Sequence, residues 1–135
     1  MRTLSEICDS LTKAIRMELA DQRVIFIHAF SAEKIQNPPN KFFVSVSLEE
    51  EKQEGFVADK SAIIRAVLIY RVYAPRDADD TELLALCEKL GQAIRIKGEE
   101  IVDTITMAGA HYDTKARAVY REIKTGISFM KEVIR

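Results

Sequence analysis

The sequence predicts an α+β fold in which a mostly antiparallel sheet of about five strands carries two helices on one face, in the order α-β-β-β-α-β-β. Three observations lead there. Two separated stretches repeat apolar residues at spacings of three and four, which is a helical period. Five others alternate apolar and polar residues or run apolar without a break. The strands also come in groups, three before the second helix and two after it, instead of alternating one-for-one with helices.

The first helix is marked by Leu4, Ile7, Cys8, Leu11, Ala14 and Ile15 along one face. Thr3 and Glu6 have the spacing of a capping box, and the helix is expected to end near Asp21. Arg23 to Phe30, "RVIFIHAF", is β-branched and aromatic and reads as a strand apolar on both faces. Asn37-Pro38-Pro39-Asn40 removes two amide donors and turns the chain. In "KFFVSVSLE", Phe42, Val44, Val46 and Leu48 fall on a core side, and Phe43, Ser45, Ser47 and Glu49 on the other.

Residues 49–62 break that alternation and carry their charge at the front, so they read as a solvated, mobile loop. Ile63 to Tyr73 is the longest strand: Ile64, Ala66, Leu68, Tyr70 and Val72 form a wholly apolar face, and Arg65 and Arg71 mark the other as partly wet. After Pro75 the second helix shows Leu83, Leu86, Cys87, Leu90 and Ile94, with Lys97 and Gly98 as a basic last turn and a glycine stop. Ile101 to Asp113 is a strand with a bend or bulge at Gly109. Val119, Ile123, Ile127 and Phe129 close the chain as a last strand.

The 135 residues suit one domain, 1–135, and 20 basic against 21 acidic side chains leave a net charge of −1. That balance lacks the electrostatic footprint of a protein that grips phosphate backbones, so specific nucleic-acid binding is not expected. Cys8 and Cys87 are far apart, with no CxxC or Cys/His cluster, and read as buried free thiols. There is neither a run of the ~20 apolar residues a membrane span needs nor a signal-peptide layout. The chain therefore reads as soluble and cytoplasmic.

Asp77, Asp79, Asp80 and Glu82 crowd six positions. Metal or acid–base chemistry would need oxygen ligands converging from more than one element, whereas Asp79 three residues before Glu82 is the spacing of a helix cap. The cluster reads as the opening of the second helix. His28 lies in an apolar strand and reads as a core histidine. His111-Tyr112-Asp113 has no nucleophile motif beside it and reads as a strand-end cluster held by structural hydrogen bonds. With no Gly-rich phosphate loop and no catalytic motif, neither an enzyme nor a cofactor is expected.

The order of elements, together with "LIYRVYAPRDADDTELLALCEKL", "EEIVDTITMAGAHYD" and "REIKTGISFM", resembles the tail terminator proteins of long-tailed bacteriophages. The likeness covers essentially the whole chain, in pattern and order more than in identities. It implies a structural protein of the virion tail, assembled in the bacterial host cytoplasm. Six copies would form a ring that caps the tail tube, ends its polymerisation and joins it to the head and neck proteins. DNA would pass through the lumen. The expected contacts with neighbouring copies or tube protein are Phe43, Arg65 and Arg71 of the half-wet face, with Glu49, Glu50, Glu51, Glu54 and Phe56 of the 49–62 loop. Those acids would either face the lumen and repel DNA or dock on the tube. The alternative is a small α+β regulatory module that binds a ligand or peptide.

Overall fold

The computed structural model describes residues 4–19, 24–28, 41–58 and 61–132. Helix α1 (Leu4–Glu18) is followed by strands β1 (Val24–His28), β2 (Phe42–Ala58) and β3 (Ser61–Tyr73). Helix α2 (Asp80–Lys97) leads into β4 (Val102–Met107), β5 (His111–Asp113) and β6 (Ala118–Glu132). The strands form one mixed sheet in the spatial order β1-β2-β3-β6-β4, with β5 also paired to β6. Both helices pack on one face, the α+β arrangement the sequence predicts. Thr3, Phe30 and the Asn37–Asn40 turn lie outside the described residues, as does the side chain of His28.

Three features of the sheet differ from expectation. First, it has six strands because the expected strand over 101–113 is broken at 108–110, around Gly109. The break is fastened to β6 through both backbone groups of Ala108: its N–H donates to Glu122 O at 2.9 Å, and Arg121 Nη1 donates to its carbonyl O at 3.2 Å. Second, β1 runs parallel to β2, while every other pairing is antiparallel.

Third, within the expected 49–62 loop, residues 49–58 are strand and residues 61–62 already belong to β3. β2 continues to Ala58 against β3, with Glu50 opposite Val67, Glu51 opposite Ala66 and Lys52 opposite Arg65. The extension holds because β3 already runs from Ser61 and offers a ready backbone partner, so ladder hydrogen bonds form without local apolar alternation. Register shifts between Leu48 and Glu50 and between Gln53 and Phe56 absorb the lost alternation as bulges.

The core lies between the helices and β3. Ile64, Ala66, Leu68, Tyr70 and Val72 are buried along the apolar face of that strand, and Ile123 and Ile127 of β6 lie beside them. Leu11, Ile15 and Leu19 come down from the first helical segment, and Leu83, Leu86, Cys87, Leu90 and Ile94 from α2. Each large side chain buried this way contributes about 1.5–3 kcal/mol relative to exposure. Leu48 departs from its expected core position at 45% exposure. It lies on β2 beyond Val46, the last residue that β1 pairs, so among the described residues no strand pairs with that edge beside it.

Two polar groups sit in this core. The Tyr70 hydroxyl lies 3.4 Å from Thr12 Oγ1, and burial pushes its pKa up to about 12. The Thr125 hydroxyl is fully buried and has no hydrogen-bond partner among the described residues. Gly98 ends α2, its N–H donating to Ile94 O at 2.9 Å, with φ at −106°, which any residue can adopt. The glycine is needed for space: an added Cβ would lie 2.8 Å from Ile94 O and overlap the Val102 side chain.

Two substitutions check this packing by chemical denaturation. Thr125→Val keeps the shape, removes the unpartnered hydroxyl and is expected to stabilise the fold by about 1 kcal/mol. Gly98→Ala is expected to destabilise it by about 1–3 kcal/mol, because a backbone carbonyl cannot move aside as a flexible side chain would.

Candidate functional site: the outer face of the sheet

Alternation sends one set of side chains to the helices and the other set to the opposite face. The cross-strand rows put Phe43, Ser45 and Ser47 of β2 beside Tyr73, Arg71 and Ile69 of β3. The same rows continue through Tyr120, Glu122 and Lys124 of β6. Farther along, Val67, Arg65 and Ile63 stand opposite Gly126, Ser128 and Met130. Ile63, Val67 and Ile69 are only half-buried, and Ile25 of β1 and Met130 are exposed. The face is therefore half apolar, as the pattern of β2 and β3 predicts.

One end of this face is braced by a polar and aromatic cluster. Arg71 donates from Nη2 to Glu122 Oε1 at 3.1 Å and from Nη1 to the Tyr73 hydroxyl at 3.4 Å, and its guanidinium lies 4.4 Å from the Tyr120 ring centroid. Tyr73 and Tyr120 pack with ring centroids 5.5 Å apart, and His111 lies 5.8 Å from Tyr120. The Tyr73 hydroxyl donates to Asp113 Oδ2 at 3.2 Å, while Asp113 Oδ1 accepts from the amides of Lys115 and Ala116 at 2.9 and 3.1 Å. Asp113 thus holds the β5–β6 turn, in which Arg117 takes the left-handed backbone at φ 53°.

The electrostatics follow from these contacts. Burial opposes the charge on Arg71, but the Tyr73 hydroxyl and the Glu122 carboxylate outweigh it and raise the guanidinium's pKa. Burial also raises the Tyr73 phenol against its bond to Arg71. For Asp113, burial works upward, yet the amides of Ala116 and Lys115, with Tyr73 and Arg71, bring its pKa below the usual carboxylate value. These groups satisfy one another. Their geometry is that of a strut, with no nucleophile aligned on a base.

Two members of the acidic cluster have separate jobs. Asp79 is the N-cap of α2, accepting the Glu82 amide at 2.8 Å from an extended backbone. Asp80 takes two bonds from Arg121, at 3.1 and 2.8 Å, and these lower its carboxyl pKa. Among the described residues, no group of three His, Cys, Asp or Glu side chains is placed to hold a metal, and no helix is long and apolar enough to cross a membrane. No protein-family model matches the chain, and no characterised protein registers as a relative.

The expected contact residues are not gathered into one spot. Arg71 and Phe43 sit at the braced end, where Phe43 packs on Tyr73, Ala116 and Ala118. Arg65 is exposed near the other end, opposite Lys52 and Ser128, six residues or about 20 Å along the strand. Glu49 is exposed on β2. Glu50, Glu51, Glu54 and Phe56 belong to the paired hairpin, and their side chains lie outside the described residues. Sequence reasoning missed Glu122 and Tyr120 as partners of Arg71. The only signal was their even spacing on the polar side of the last strand.

Reversing Arg71 sets a carboxylate against Glu122, so Arg71→Glu is expected to cost about 1–3 kcal/mol of monomer stability by urea denaturation. Asp113→Ala is expected to lose about 1–2 kcal/mol at neutral pH. The lowered carboxyl pKa makes that contribution complete above the unfolded value of about 3.9 and lost as pH falls through the folded one. The gap between wild type and Asp113→Ala should accordingly narrow below about pH 4.

Proposed function

We propose that the chain is a structural protein of the tail-terminator kind, a ring component that caps a tail tube and joins it to the head. The reading rests on the resemblance in the order of elements. The observation that carries it is the sheet itself: one face is covered by helices, and the other leaves half-buried aliphatic residues, Ile25 and Met130 in contact with solvent. A half-apolar surface on a rigid sheet is suited to packing against another protein surface.

Its action would be complementarity of surfaces, with no bond made or broken. A ring uses a head-to-tail interface whose rotation closes, so two different surfaces of each copy must fit one another. Tube and neck proteins would meet the two rims, and DNA would pass through the lumen. The acidic stretch of β2 belongs to a paired hairpin arm, so this reading gives it a fixed place in the assembly.

Size-exclusion chromatography with light scattering tests the proposal. A mass near six times 15.3 kDa, alone or with tail-tube protein, is expected. A monomer under both conditions would overturn it and favour a small ligand- or peptide-binding module.

A further inference from the structure

The sheet has two edges, and they match. Among the described residues one edge is β1, paired only with β2, and the other is shared by β4 and β5, each paired only with β6; the part of that edge level with β1 is β5. Cross-strand rows put both edges at the same height: Ile25 is opposite Phe43, then Tyr73, Tyr120 and finally His111. The strand directions are also opposed. β1 is parallel to β2, and each later step through β3, β6 and β5 reverses direction, which leaves β5 antiparallel to β1. Rotating one copy about an axis along the strands therefore brings β5 of one copy alongside β1 of the next in the antiparallel sense, ready to exchange ladder hydrogen bonds.

The flanks of the two edges carry opposite charge. Beside β1, the exposed Arg16 guanidinium lies over Phe26, 5.7 Å from its centroid. Lys13 is exposed one turn earlier on the same helix, and Lys41 is exposed just before the residue that partners Val24. Toward the other edge, the start of α2 is tied to Arg121 of β6, which shares the row of Phe26 and reaches the break between β4 and β5 through Ala108 O. Asp77, Asp79, Asp80 and Glu82 are exposed there, four carboxylates against the guanidiniums of Arg76 and Arg121. Capping and the Arg121 pair occupy Asp79 and Asp80, whereas Asp77 and Glu82 serve neither.

We propose that the β5 edge with the acidic start of α2 docks on the β1 edge with the basic flank of α1 of a second copy, continuing the sheet from subunit to subunit. The proposal rests on the ring reading and specifies its interface. Because the two surfaces differ, each copy uses both, and the contact is head-to-tail.

The test reverses charge at exposed positions only. Asp77→Lys with Glu82→Lys makes one surface basic, and Arg16→Glu with Lys41→Glu makes the other acidic. Each double variant, shown to be folded by circular dichroism, is expected to assemble at least about a hundredfold more weakly in sedimentation velocity, since like charges then face each other. Mixing the two variants restores opposite charge at both kinds of junction and should restore assembly. Raising salt should weaken wild-type association, a measurement that needs no variant.

Variants that assemble like wild type, or a mixture that stays monomeric, would overturn this interface while leaving the ring standing. A wild-type chain monomeric at every concentration would overturn both.

Discussion

Strand β3 is the constraint on which the rest of the structure depends. It is paired along both edges for nearly its whole length, with β2 on one side and β6 on the other. Its inner side chains are buried from Ile64 to Val72. Because side chains alternate strictly, fixing that face toward the helices fixes Arg65, Val67, Ile69 and Arg71 on the opposite face. A slip of one residue would bury two arginines and expose Leu68 and Tyr70, so the register is strongly specified. The half-apolar outer face is thus a direct consequence of the core.

That constraint also explains why the braced end is polar. Arg71 lies between two tyrosines and a carboxylate because β3 and β6 bring Tyr73, Tyr120 and Glu122 into neighbouring rows. Its charge is compensated locally, which allows a cation to lie partly buried on the sheet. On the helix side Arg121 does the same for the start of α2 and the Ala108 carbonyl, fastening one helix end, the break between β4 and β5, and β6 at a single side chain.

Much of this was legible in the sequence, for physical reasons that vary by element. The α2 stripe, its Asp79 cap and its Gly98 stop depend on contacts within a few residues, so local spacing suffices to find them. The apolar face of β3 was legible because burial on one side imposes a period of two. The paired segment at 49–58 was not. Its strand character comes from pairing with β3 and carries no simple alternation of its own. The parallel placement of β1 was hidden too, being a choice of neighbour that no local pattern encodes. The carboxylate partners of Arg71 and Arg121, Glu122 and Asp80, stand 51 and 41 residues away, beyond what spacing can reveal.

What emerges is a helix-backed sheet whose outer face and edges are open among the described residues, and the proposed assembly would have other copies cover them. Hydrogen exchange, compared between dilute monomer and the concentrated, assembled protein, tests that most directly. Exchange at residues 24–28 and 111–113 should slow on assembly, while the buried stripe of α2 exchanges as before. Unchanged exchange at both edges, or slowing confined to the helices, would contradict the account.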